Sequence, residues 1–446
     1  MRLSVGSLLV FLLTPLINAQ EPPKVVALEP LHQAADVDAK VLKTLVVTFN
    51  QPMSTTGWSF CGGGPKFPKI VGKPRWKNNR TCEVDVALEP EHEYYILLNC
   101  PAGGNFRSAK GVKVPPTPWS FTTLPAKLPN QREQRSLNKK AFKALQDGLA
   151  KNYSYYDLRG LKWNKIYKKS SKKILAAKTT GAWTSAVGKM LEPANDIHLY
   201  LRHGDKGVAT GRRAVDPLFR KHLLERYLAE QRPLGDLALV GRTKDGMGYL
   251  LIRGWKQALD LDKVDTALGK LRDAKALIVD VRPNSGGDER LARRVAQWFV
   301  RDTKVYAKNR YRTGKGKKGF GPVLDRKITG NTDEEKRFGG PVVVLTSRYV
   351  MSSCEAFVLM MKQADDCTVV GQPTYGSSGN PKPHDLPNGV TIVIPSWQAL
   401  LPDGSCFEGV GVAPDLEVPV EPDELDKRDP IFERALETLR ARGEGG

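Results

Sequence analysis

The sequence predicts an α/β protein preceded by an all-β segment, and two patterns carry that prediction. In the C-terminal half, apolar runs of strand length at Gly248 to Arg253, Ala276 to Arg282, Pro341 to Thr346, Thr368 to Gly371 and Val390 to Pro395 are separated by helical patterns at Glu289 to Phe299 and Ser353 to Gln363. Such alternation builds a sheet covered by helices, and the runs are too continuous for a half-exposed one. In the N-terminal part, short β-favouring stretches such as Thr44 to Phe49 and Tyr94 to Leu98 are punctuated by Gly, Pro and Asn. That is the pattern of a β-sandwich of about 100 residues.

The elements follow in order. Met1 and Arg2, the apolar run from Leu8 to Ile17 and the small Ala19 predict a secretory signal peptide over residues 1–19. The run is too short for a membrane anchor, Pro15 interrupts it, and no later stretch approaches the length of a membrane span. The expectation is an exported protein, periplasmic or extracellular and soluble. The β-sandwich takes 24–125. After the Pro125 to Pro129 linker, Phe142, Leu145, Leu149, Tyr153, Ile166, Tyr167, Ile174 and Leu175 recur at helical spacing, which predicts a helical subdomain over 132–192 with lysine on its outer face. The α/β core occupies 193–420 and a C-terminal helix or tail 421–446.

With 446 residues, 40% hydrophobic and 26% charged, the chain has the proportions of a folded protein of two or three domains. Lysine and arginine outnumber aspartate and glutamate 69 to 48, giving a net charge of +21, which suits an anionic partner such as an envelope surface. The densest basic run, Lys308, Arg310, Arg312, Lys315, Lys317 and Lys318, reads as a solvated loop without stacking aromatics, so no specific nucleic-acid partner is expected. Export opens the cysteines to oxidation. Cys61, Cys82 and Cys100 lie in one third of the chain and Cys354, Cys367 and Cys406 in another. Three per domain is odd, so the pairing stays open, with one free thiol in each set if bridges form within domains. CxxC pairs and Cys/His clusters are absent, and neither a metal nor an organic cofactor is implied. The oligomeric state is not written in any of these patterns.

Chemistry concentrates in four segments. Val344 to Phe357 runs from a buried strand through a turn into a helix that starts at Ser352 and Ser353. A hydroxyl at a helix N-terminus lies beside unpaired backbone N–H groups, which suits a nucleophile whose attack creates an oxyanion. The same residues also read as a helix cap, with Glu355 closing a capping box. Ala276 to Gly287 is a second buried strand, ending in a glycine pair that lets amides approach a substrate carbonyl. Asn195-Asp196-Ile197-His198 supplies an imidazole, and Cys406 to Asp415 a carboxylate, Glu408, in a Gly-rich loop.

Together the four segments resemble the tail-specific, or C-terminal-processing, serine proteases, whose core is similar to the ClpP and crotonase fold. In that family a strand ending Asp-x-Arg-x-Asn-x-Gly-Gly forms the oxyanion hole, matched here by Asp280, Arg282, Asn284, Gly286 and Gly287. The nucleophile three residues before a helix glutamate falls on Ser352, and Ser353 provides the next amide. The commonest branch uses a lysine base in Gly-x-Pro-Thr-x-Gly-Lys. This chain reads Gly371-Gln372-Pro373-Thr374-Tyr375-Gly376-Ser377, with serine in the lysine's place. The match is better to the branch that resembles tricorn and the interphotoreceptor retinoid-binding proteins, whose histidine and glutamate correspond to His198 and Glu408. The stretch Val47 to Met53 and the closing Trp119 to Thr123 resemble bacterial Ig-like modules.

The resemblance implies an exported serine protease acting on protein or peptide substrates, with Ser352 as nucleophile, His198 as general base and Glu408 as the acid that orients it. Gly286 or Gly287 and Ser353 would bind the oxyanion, and Gly376, Ser377 and Asn380 would shape the substrate channel. Many relatives carry a PDZ domain, but the stretch between His198 and Gly248 is too short for one, which puts selection of free C-termini in question. The alternatives are a non-catalytic peptide- or ligand-binding protein on the same scaffold and a polyanion-binding envelope protein.

Overall fold

The computed structural model describes residues 21–100, 103–204, 206–210, 215–316 and 319–443. The expected signal peptide lies outside them. The chain divides into two compact units, residues up to 134 with 177–185, and residues 135–176 with those from 186 onward. The first unit is built on two four-stranded sheets. One orders Val25–Glu29, Thr44–Phe49, Thr81–Ala87 and Lys69–Asn78, all antiparallel, and the other Ala34–Val37, Thr117–Thr123, Glu93–Leu98 and Phe60–Cys61. Period-two alternation turns Leu45, Val47 and Phe49 inward, where they join Val84, Ile96, Trp119 and Phe121 in one core. Each such side chain contributes about 1.5 to 3 kcal/mol by leaving water. Cys61 and Cys100 form a disulfide, while Cys82 is a free, buried thiol. Cys354, Cys367 and Cys406 are all unbridged, so in the C-terminal set no pair forms. Cys354 is enclosed in a helix and Cys367 opens a strand.

Helices α1 (Gln131–Asn152), α2 (Trp163–Leu175) and α3 (Thr180–Leu191) lead into the second unit. The centre of that unit is a seven-stranded sheet ordered Leu228–Pro233, Ala238–Thr243, Gly248–Ile252, Leu277–Asp280, Val342–Thr346, Cys367–Gly371 and Leu416–Glu417. The last five run parallel. Both faces of the sheet are covered, which explains the unbroken apolar runs. Leu277, Val279, Val342 and Val344 face α5 (Leu261–Lys270), α6 (Glu289–Ala296) and α7 (Ser353–Met361), whereas Ile278, Val343 and Leu345 face α8 (Pro430–Gly443). The short α4 (Leu224–Tyr227) lies between α3 and α5 in the chain and adds Leu224 to the α8 side. All nine residues of α7 are buried, so it runs through the core and has no solvent face.

Where the Leu277–Asp280 strand ends, Arg282 is fully buried between Asp280 (2.7 Å) and Asp429 (2.8 Å) and donates to the Leu218 carbonyl. Asp429 in turn caps α8 through the Phe432 amide. This ion triad fixes the strand end to the helix beneath it.

Two smaller sheets flank the main one. Lys206–Ala209, Tyr200–His203, Val390–Pro395 and Pro381–Asp385 form the first, and Leu324–Ile328, Lys304–Tyr311 and Trp397–Leu400 the second. The basic run expected to be a solvated loop begins inside the Lys304–Tyr311 strand. Arg312 is buried against Asp157 and the rings of Tyr156 and Phe320, and Arg310 lies over Phe320, 4.6 Å from the ring centroid. The aromatics are supplied from elsewhere in the chain or from beyond the run, which its own spacing could not reveal. Lys317 and Lys318 lie outside the described residues.

Candidate active site

Three neighbouring parallel strands end on the same rim of the main sheet, where crevices for ligands form in α/β folds. The loop after Leu277–Asp280 carries Gly286 and Gly287, the turn after Val342–Thr346 carries Ser352, and the loop after Cys367–Gly371 carries Thr374 to Asn380. Ser352 has φ 58° and ψ −129°, a conformation that costs a side-chain-bearing residue about 1 to 3 kcal/mol unless its surroundings impose it. Here they do. Its amide donates to the Ser377 carbonyl (2.9 Å) and to Glu355 Oε2 (3.1 Å).

Glu355, expected only as a cap, is a four-way acceptor. It takes hydrogen bonds from the amides of Ser352, Gly376 (2.7 Å) and Ser377 (3.1 Å) and from the Thr374 hydroxyl (2.6 Å), which itself accepts from the Val412 amide. Complete burial pushes its carboxyl up to about 7, against the pull of these four donors. The Ser352 turn and the 374–377 loop therefore share one buried anchor, and neither Glu355 nor Thr374 was assigned that role from sequence.

The two glycines differ. Gly286 donates its amide to Asn284 Oδ1 (2.8 Å), so of the expected pair only Gly287 keeps its N–H clear of protein acceptors among the described residues. The Ser353 amide, at the start of α7, is also clear, and the Ser353 hydroxyl donates to the Gly287 carbonyl at 2.7 Å. This bond ties the two open amides together. Both glycines are required by geometry. A Cβ on Gly287 would fall 1.9 Å from the Trp255 carbonyl, and one on Gly286 2.9 Å from Ser352 Cβ.

His198 arrives from the first flanking sheet, just before the Tyr200–His203 strand. Its amide donates to Asp196 Oδ1 (2.9 Å), whose other oxygen accepts from the Tyr153 hydroxyl (2.8 Å). The imidazole Nε2 lies 3.2 Å from Ser352 Oγ. The ring is enclosed, and burial holds its pKa below the ordinary 6.5, so the neutral imidazole is favoured.

Glu408 differs from the expectation. The partner of His198 Nδ1 is Ser377 Oγ, at 2.9 Å, and not a carboxylate. Glu408 instead accepts from Arg159 and from the Ser378 amide (3.1 Å). Burial, reinforced by the charge of Asp196 and offset by Arg159, raises its carboxyl well above the usual range. Sequence could not pair it with Arg159, which stands 249 positions away. The channel residues also separate. Ser377 touches the imidazole, Gly376 packs against the 409–411 backbone with its would-be Cβ 2.5 Å from the Gly411 amide, and Asn380, at φ 45°, turns the chain into the Pro381–Asp385 strand. Among the described residues no group of three or more His, Cys, Asp or Glu could hold a metal ion.

Residues 246–418 match the model of peptidase family S41. The match spans every site residue named above except those of the His198 segment and the Tyr153–Arg159 stretch. The carboxy-terminal processing protease CtpB of Bacillus subtilis (strain 168) is 23% identical over 257 residues, 56% of this chain and 51% of its own. The chain therefore spans about half the length of that curated relative. Among solved structures, a peptidase candidate from Parabacteroides merdae is 25% identical with a TM-score of 0.62, covering 69% of this chain and 98% of its own. Mature CPAF shares the fold at 12% identity and a TM-score of 0.53, over 68% of this chain and 96% of its own. Residues 246–418 thus carry the pattern of peptidase family S41, and the chain is similar through that region to C-terminal-processing proteases.

Proposed function

We propose that the protein hydrolyses peptide bonds through an acyl-enzyme on Ser352. The observation that carries this reading is the approach of His198 Nε2 to Ser352 Oγ, 3.2 Å, beside the two open amides of Gly287 and Ser353. Ser352 Oγ attacks the scissile carbonyl while His198 Nε2 takes its proton, and the tetrahedral oxyanion is received by the Gly287 and Ser353 N–H groups. His198 then returns the proton to the departing amine, leaving an ester on Ser352. Water enters, gives its proton to His198, and releases the acid product as the serine hydroxyl is restored. Nε2 is free to accept only if Nδ1 carries the ring proton, and that proton points to Ser377 Oγ. Glu408 acts one step further out, holding the Ser378 amide and with it the loop that carries Ser377.

The test is a fluorophosphonate label. It is expected on Ser352 of the folded protein and absent from Ser352→Ala, which also loses peptide hydrolysis. Failure of the parent protein to take the label would favour the non-catalytic binding reading. We read the protein as exported, which the Cys61–Cys100 disulfide supports because such bridges persist outside the cytosol. The paired N-terminal sheets support an Ig-like module that spaces or docks the peptidase.

A further inference from the structure

We propose that the outer face of α2 docks the protein on a bilayer surface rich in anionic lipid headgroups. Residues 135–176 hold twelve lysines and arginines against two aspartates. Both acids are already engaged, Asp147 with Lys143 and Lys315 and Asp157 with Arg312. Around α2 itself, Lys162, Lys165, Lys168, Lys169, Lys172 and Lys173 are all exposed, and the stretch contains no acid. Among the described residues none of the six makes an ion pair or a side-chain hydrogen bond.

The opposite face of the helix is fully occupied. Trp163, Tyr167 and Ile174 are buried, Tyr167 packs edge-on against Phe142 of α1, and Asn138 donates to the Leu175 carbonyl. The apolar stripe therefore has its partner within the protein. The lysine stripe, on the other side of a rod about 20 Å long, has none. Holding so many like charges on one face is unfavourable without a counter-charge.

The chemistry of the stripe selects the partner. Lysine ammonium groups are point charges without the planar fork that reads a single carboxylate or phosphate pairwise. The helix's aromatic rings are turned inward, so it offers no stacking platform for bases. A flat field of identical charges is complementary to a flat field of opposite ones, such as a phosphatidylglycerol-rich bilayer. With no apolar face left to insert, the contact is electrostatic alone and lies at headgroup level.

The inference does not depend on the peptidase reading, and its test reads binding, not turnover. The purified full-length protein is sedimented with vesicles of equal parts phosphatidylglycerol and phosphatidylcholine, and with vesicles of phosphatidylcholine alone, across a salt series. Binding is expected only to the anionic vesicles and is lost at high salt. The variant K165Q/K168Q/K169Q/K172Q/K173Q is expected to lower partitioning about a thousandfold or more, with peptide hydrolysis in solution unchanged. A second variant with the same loss of charge on the N-terminal unit, K66Q/K69Q/K73Q/K77Q/K110Q, is expected to bind much as the parent does. The proposal is overturned if the parent ignores anionic vesicles, if it binds heparin or single-stranded DNA but not vesicles, or if the two variants lose binding equally.

Discussion

Ser377 Oγ stands 2.9 Å from Nδ1 of His198, at the sequence position where the Ser–Lys branch would carry its base. In the proposed mechanism this position holds the base in place and does not supply it. With Ser377 accepting the Nδ1 proton, Nε2 faces Ser352 as an acceptor. The reversed tautomer would leave it a donor and unable to start the reaction. Replacing Ser377 with alanine is expected to lower kcat about tenfold or more with little change in KM, and Ser377→Thr is expected to recover most of the loss. An alanine variant with the parent's kcat would remove Ser377 from the mechanism.

Glu408 and His198 are expected to differ in weight. His198→Ala removes the base itself, a loss of about 100- to 10,000-fold in kcat. Glu408→Gln keeps an acceptor for the Ser378 amide and is expected to cost much less, with a matching partial loss in Arg159→Gln because the two side chains share one contact. Steady-state kinetics of the three variants check this order, and a Glu408 variant as inactive as His198→Ala would return the carboxylate to direct contact with the ring.

Gly287→Ala places a methyl group against the Trp255 carbonyl and displaces the amide proposed to receive the oxyanion. Loss of one such donor costs about 2.7 to 4 kcal/mol in the transition state. The expected result is kcat reduced at least a hundredfold, with substrate affinity largely kept. Gly286→Ala presses on Ser352 directly, and is expected to abolish labelling of that serine as well as turnover.

Acid is expected to silence the enzyme in two steps. Glu355, its carboxyl raised to about 7, can hold the Ser352 and Ser377 amides only while ionised, since a proton on it would meet four donors. His198, depressed below 6.5 by burial, loses its base function on protonation at still lower pH. Both groups act in their deprotonated forms, so kcat/KM rises with pH and levels off above the Glu355 value. A plot of log(kcat/KM) against pH is expected to approach a slope of two on the acid side. A slope of one down to the onset of unfolding would eliminate the Glu355 contribution.

Arg282→Leu strips the counter-charge from two buried aspartates at the strand end beneath the oxyanion loop. Breaking a buried pair from one side costs about 3 to 5 kcal/mol. Chemical denaturation is expected to show a loss of that size, and a loss below about 1 kcal/mol would mean the triad is hydrated in solution.

Local pattern made much of this legible. The Thr44–Phe49 and Val390–Pro395 strands fall where the sequence puts them, and the central strands and α6 and α7 differ only at their ends. Thr44–Phe49 is buried on a period of two and the central strands and α7 along their whole length, and a sequence displays both patterns directly. Ser352, Gly287 and His198 could be proposed from sequence because each sits in a short segment with a distinctive pattern of its own. Contacts made across the chain left no such trace. Nothing around Arg159 points to Glu408, nor does anything around Arg312 point to Asp157, and Glu355 read as a cap because its other three donors lie about twenty positions downstream. The Leu228–Pro233 and Ala238–Thr243 strands escaped detection for another reason. The first is exposed over five of its six residues and carries no apolar run.

Because the parallel strands send all three candidate-site loops out of one rim, the opposite rim stands apart from the proposed chemistry. The turn at Asp245 and Gly246 and the loop at Gly339 lie there, both open to water. A reporter peptide or an affinity handle spliced into either place would travel with the folded protein without intruding on the three loops.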